Sequence, residues 1–363
     1  MIKGFDGLRA IAVIVVFLNH WTPFGRTYHT GDYGVWLFFL LSGFLIIKGL
    51  HRDRLAHESG QAATSLILRF YERRALRIFP AYYATLLVFS IVSVFVTIPN
   101  WDRISAVYHY LYLSNFYIAH VRGQFIGWFS HFWSLAIEQQ FYLLMGPALI
   151  LVPSRFTKAA CVLVICVALA SLAYLRINDA PHIQIYTDSL INFGMIALGG
   201  LVALYLPGRP QNGSQWTIAA LSLVLLAAYP FVLSYFDPSG GYLRGLAQSS
   251  VIVAAALIAA IYLNQNTAIV RCLEFFPIRH LGRISYGFYL YHNLIPRTLF
   301  PSLFMRAGFP DIPPIVSIVL GFLLAVLLAE LSWRLLESPI LRFKDRTADR
   351  STNSDASFRQ SSA

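Results

Sequence analysis

Charge is scarce in this sequence. Asp, Glu, Lys and Arg supply 12% of its 363 residues, against about 25% in soluble domains, too few to coat a water-facing surface of this size. A string of soluble domains is therefore excluded. Cysteine is scarce as well: Cys161, Cys166 and Cys272, two of them inside one apolar stretch, cannot form a disulfide framework. No His, Cys and carboxylate cluster has metal-ligand spacing, and neither a nucleotide-binding Gly loop nor a G-x-S-x-G elbow occurs, so no metal is expected. Internal repeats are absent too.

What abounds is apolar. Hydrophobic residues make up 57% of the chain and mean hydropathy is +0.60. A spanning helix needs about 20 largely apolar residues, and ten segments qualify: 8–24, 33–50, 79–98, 132–152, 159–175, 187–206, 216–236, 246–264, 284–304 and 314–336. The ninth is amphipathic, with Tyr286, Tyr289, Tyr291, His292 and Arg297. The stretch 101–120, with four tyrosines and Trp101, reads as interfacial rather than spanning. The first span carries an arginine and no small-residue cleavage site follows it, unlike a signal peptide.

The expectation is an all-α polytopic membrane protein of about ten transmembrane helices. Residues 1–340 form its membrane domain and 341–363 a polar, Ser-rich, disordered tail. The net charge of +11 does not point to nucleic acid, because the basic residues stand at the ends of apolar runs. With the N-terminus inside, 21 of the 28 Lys and Arg residues fall on the cytoplasmic side. Both termini are thus expected in the cytoplasm, and the chain in the cell (inner) membrane.

Ionisable groups inside spans are costly and are functional candidates by default. Arg9 and His20 in the first span are eleven residues apart. That is about 20° past three full turns, so they share a face and are separated by about 16 Å along the axis. A snorkelling arginine with a structural histidine is the bland alternative. In HFWSLAIEQQFYLL, His131, Ser134 and Glu138 follow i, i+3, i+7 on one stripe. Glu138 needs a cationic or hydrogen-bonding partner there, which an imidazole or guanidinium of the first span could supply. Spacing leaves catalytic and purely structural roles evenly matched.

In RFYERRALRIFP, Arg69, Arg73 and Arg77 follow i, i+4, i+8 with Arg74 beside them. Such a group could bind phosphates, but spacing alone favours topology or anionic lipid. Ser42 and Gly43 in the second span fit close helix packing first and a ligand second. Ser285, Tyr289 and His292 at i, i+4, i+7 fit a polar cavity and an aromatic belt equally.

Taken in order, FDGLRAIAVIVVFLNH, GVWLFFLLSGFLI, ERRALRIFP, HFWSLAIEQQFYLL, LGRISYGFYLYH and LLESP resemble the membrane-bound acyltransferase 3 family over nearly the whole chain. The resemblance implies ten core helices in the lipid bilayer and a cytoplasmic acyl-CoA co-substrate, commonly acetyl-CoA. It also implies a carbohydrate or glycolipid acceptor on or near the outer side, with His20 of the R-x10-H motif catalytic and Arg9, Arg73, Arg74 and Arg77 serving the donor. Two positions depart from the family pattern. Trp36 stands where relatives commonly carry an acid after Gly-Val, and Glu138-Gln139-Gln140 replaces Glu-Glu-Gln. Many relatives carry an added extracytoplasmic domain. Without one, transfer is expected to finish in the membrane domain or on a partner.

The chemistry expected is O-acyl transfer with His20 as general base, either directly or through an acyl-imidazole. Glu138 would orient or balance the site, while Ser42, Ser134, Tyr289 and His292 would contact substrate. The rival is a proton-coupled transporter with His20 and Glu138 as a relay.

Overall fold

The computed structural model describes residues 2–213, 215–236, 249–309 and 312–341, and the expected tail lies outside them apart from Leu341. All regular elements among them are helical, with one isolated bridge between Asn212 and Asn264. We number the main helices α1 (Phe5–Trp21), α2 (Thr30–Glu58), α3 (Ala63–Phe95), α4 (Phe132–Leu151), α5 (Thr157–Ile177) and α6 (Ser189–Tyr205). They continue as α7 (Thr217–Phe236), α8 (Ser250–Leu263), α9 (Phe276–Arg283), α10 (Ser285–Tyr291), α11 (Leu299–Arg306) and α12 (Pro314–Ser332). Among the described residues, five helical stretches are long and apolar enough to cross a membrane: Thr30–Glu58, Ala63–Phe95, Gly127–Leu151, Ser154–Ile177 and Pro314–Leu341. Three more, Ser189–Tyr205, Thr217–Tyr229 and Ser250–Leu263, are apolar but shorter.

Several boundaries differ from the sequence expectation. At 33 residues, α3 is about 50 Å long, whereas bilayer hydrocarbon is about 30 Å thick. Its basic first half therefore has room to extend beyond the apolar slab. The expected ninth span is not one helix. It is broken into α10 and α11, seven and eight residues long, with Pro296 in the gap. Proline lacks the N–H that an α-helical turn needs and disfavours helix at the residue before it. The 101–120 stretch is not one long helix: Asp102 caps an eight-residue helix through Ser105 N–H at 2.7 Å, and a short helical turn (Ser114–Phe116) and a π-helix (Tyr117–Arg122) follow.

α6 packs along α2 and α5, and α1 packs between α2 and α9. A Cβ at Gly43 would overlap the Ile196 carbonyl, and one at Gly199 the Leu40 carbonyl. The α2–α6 crossing is thus main chain against main chain, as small residues permit between membrane helices. On α12, Ile315, Val319, Leu323, Leu327 and Leu331 form an exposed i, i+4 stripe, a face suited to lipid rather than water.

Candidate active site

The polar residues of the first span do share one side of α1, and they open onto two cavities. A cavity of about 140 Å³ is lined by Arg9, Arg74, Arg77 and Glu138, together with Ser42, Ser134, Tyr142, Ser285 and Tyr286. A second, of about 430 Å³, is lined by His20 and His131 with Asp32, Arg26, Asn293 and Arg297. Val35 and Tyr289 line both and so stand between them. The His131–Ser134–Glu138 stripe of α4 bridges the pair, with His131 in the histidine cavity and the other two in the arginine cavity.

In the arginine cavity the cations are only partly neutralised. Arg9 pairs with Asp6 at 2.6 Å. Arg74 lies 5.8 Å from the Tyr142 ring centroid, and its Nε is buried without a hydrogen-bond partner. No ion pair engages Arg77 among the described residues. Arg73 turns away and pairs with Asp53 at 2.9 Å, so it does not line this cavity. Ser42 Oγ is 2.7 Å from the Tyr142 hydroxyl. Tyr289 hydroxyl is 2.6 Å from Ser134 Oγ and donates to the His131 carbonyl at 3.1 Å.

The histidine cavity depends on the break after α10. A helix end leaves carbonyls without intrahelical donors, and here three ring N–H groups take them. His292 Nδ1 bonds the Tyr289 carbonyl at 2.7 Å, His131 Nε2 the Leu290 carbonyl at 3.0 Å, and Trp21 Nε1 the His292 carbonyl at 3.0 Å. A carbonyl only accepts, so His292 carries its proton on Nδ1 and, when neutral, presents a lone pair at Nε2. That lone pair faces His20 Nδ1 at 2.8 Å. His20 then donates from Nδ1, and its Nε2 is left as an unprotonated base. Asn293 donates to the Gly127 and Trp128 carbonyls at 2.9 and 3.2 Å, tying the segment before α4 to the cavity.

Glu138 and His20 therefore line different cavities, and His292 touches His20 instead of lining either. Gln140 is occupied by the Tyr112 carbonyl, Asn115 and Ser189, and Trp36 is buried against Tyr33. Sequence reasoning assigned no site role to Asp32, Arg26 or Arg297, although Arg297 already marked 284–304 as amphipathic. The first two sit in a polar connection where such residues attract no notice. Arg297, inside an expected span, was the available signal that 284–304 is not an ordinary transmembrane helix.

Comparison with known proteins identifies the family. An acyltransferase-domain family model matches residues 2–334. The O-acetyltransferase OatA of Staphylococcus aureus (strain NCTC 8325 / PS 47) is 26% identical over 361 residues, covering 93% of this chain and 57% of that protein. The peptidoglycan O-acetyltransferase OatA of Listeria monocytogenes is 29% identical over 366 residues, covering 93% and 56%. The chain thus spans a little over half the length of these relatives. No solved structure matches it. With the family model covering almost all of its helices, the chain belongs to the acyltransferase 3 family.

Proposed function

We propose that the protein is a multi-pass O-acetyltransferase. It takes an acetyl group from acetyl-CoA on the cytoplasmic side and transfers it to a hydroxyl of a carbohydrate reached from the opposite side. Peptidoglycan, named for the Listeria relative, is the first acceptor to test. The observation that carries this reading is the fixed tautomer of His20, whose free Nε2 is oriented by His292 from the opposite ring edge. This is the logic of a general base held by a second group, with a main-chain carbonyl at the end of the chain in place of a carboxylate.

In this mechanism the arginine cavity holds the phosphates of coenzyme A, since guanidinium groups bind phosphate bidentately. The long arm passes Val35 and Tyr289 toward His20. His20 Nε2 takes the acceptor hydroxyl proton as the oxygen attacks the thioester carbonyl. The tetrahedral oxyanion collapses, the C–S bond breaks, and the imidazolium returns its proton to the leaving thiolate. The products are an acetyl ester and free coenzyme A. A proton relay between His20 and Glu138 gains no support from the geometry, because the two line different cavities.

The test is acetyl transfer by purified protein, wild type beside His20→Ala. Loss of a general base costs about 10²–10⁴-fold, so kcat is expected to fall by at least 10²-fold while acetyl-CoA still binds. Undiminished turnover in the variant would remove His20 from the chemistry.

A further inference from the structure

The histidine cavity holds two guanidiniums that the proposed transfer does not use. Arg26 follows α1 on a short helix, and Arg297 lies in the gap between α10 and α11. Both line the cavity that His20 faces, and their charges repel one another. Neither makes an ion pair with a carboxylate among the described residues. Arg26 makes one long bond, 3.3 Å, to the His20 carbonyl. The carboxylate in the same cavity, Asp32, is engaged by Tyr186. Tyr186 and Trp133 also line this cavity and pack together with ring centroids 4.7 Å apart, both buried. Two guanidiniums lining one cavity with no ion pair among the described residues favour an anionic ligand between them.

We infer that the acceptor bound next to His20 is an anionic carbohydrate, whose negative group sits between Arg26 and Arg297 while a hydroxyl faces His20 Nε2. This rests on the acyl-transfer reading for its use and sharpens it, because only an acidic glycan offers the two guanidiniums charge-assisted hydrogen bonds. The anion could be a carboxylate on the sugar or the phosphate of a lipid-linked sugar. Both offer oxygens to a guanidinium, and they differ in where the charge stands relative to the reacting hydroxyl.

Binding to the purified full chain separates the cases. The probes are N-acetylmuramic acid, its methyl ester, N-acetylglucosamine 1-phosphate and N-acetylglucosamine. We expect one acidic probe to bind at least tenfold more tightly than its neutral counterpart, and the preferred acid identifies the source. Arg297→Gln, at an exposed position, should abolish most of that preference, and Arg297→Lys should restore part of it. Arg26→Gln should act in the same direction but also loosens a bond to the His20 main chain. Equal binding of acidic and neutral probes, or a preference that survives in the Arg26→Gln, Arg297→Gln double variant, overturns the assignment. Acetyl-CoA turnover in the same preparations reports separately on the proposed reaction. An acid preference without turnover would leave the anion site standing and sink the transferase reading.

Discussion

The two cavities along α1 differ in how their polar groups are held. In the arginine cavity the guanidiniums rest on one short ion pair, one aromatic face and, for Arg77, no ion pair among the described residues. In the histidine cavity the wiring is main-chain: the rings of His292, His131 and Trp21 bond carbonyls freed by the end of α10. Loosely compensated charge suits a ligand that must arrive and leave. Rings locked by carbonyls suit a group whose geometry must persist through the reaction. Substitutions in one cavity should therefore act mainly on KM for the donor, and in the other mainly on kcat.

The largest effect expected after loss of His20 itself is at His292. His292→Phe removes the acceptor for His20 Nδ1–H and frees the imidazole to change tautomer. We expect kcat to fall about 10–100-fold, within the range of acid–base contributions, with KM for acetyl-CoA unchanged. His292→Gln retains an acceptor oxygen and should recover part of the loss, whereas a merely space-filling role would give no such rescue. A rise in donor KM in place of a fall in kcat would erase the contrast between the cavities.

On the arginine side, Arg74→Gln with Arg77→Gln should raise KM for acetyl-CoA about tenfold, the scale of losing one charge-assisted hydrogen bond. Arg73→Gln should leave it unaltered, since that side chain faces Asp53. The difference between wild type and the double variant should shrink as salt screens the interaction. Equal effects from all three arginines would mean that they act as a diffuse cluster rather than as a lined site.

The helical period carried much of this into the sequence. Eleven residues bring Arg9 and His20 to one side of α1, and i, i+3, i+7 lays His131, Ser134 and Glu138 along one stripe. The same arithmetic explains an overreach. Each i, i+4 step advances about 40°, so Arg69 and Arg77 differ by about 80°. Packing then divides the cluster: Arg69 reaches Gln61, Arg73 reaches Asp53, and Arg74 and Arg77 reach the cavity. Of the two partners that the first span offers Glu138, Arg9 lines its cavity and His20 does not, because an apolar run does not reveal which level of a neighbouring helix it meets. The carbonyls that fix His20 arise from a helix interruption beside Pro296, and hydropathy averages across that break. Gly43 is legible as a packing residue because small residues let helices approach closely, whereas Gly199, its counterpart across the α2–α6 crossing, belongs to contacts that a single sequence does not pair.

A histidine outside both cavities sharpens the comparison with the smallest effect on activity. His109 is fully buried among Trp101, Tyr117, Phe129 and Phe132, with Nδ1 donating to the Ser105 carbonyl at 2.7 Å. Burial pushes its imidazole down to about 4 from the ordinary 6.5, against a weaker upward pull from the Ser105 and Phe129 main chain and the charge of Asp102. Above pH 6.5 the ring is neutral whether folded or unfolded, and the fold keeps its full stability. As pH falls from 6.5 through about 4, the unfolded chain takes up the proton first and stability is lost, on the order of 1–3 kcal/mol. His109→Phe should flatten that part of the melting-temperature profile and leave acetyl transfer at neutral pH unchanged. Were transfer to fall as it does for His292→Phe, burial and a main-chain bond alone would not distinguish a working imidazole from a packed one, and the contact to His20 Nδ1 would lose its meaning as the distinguishing feature.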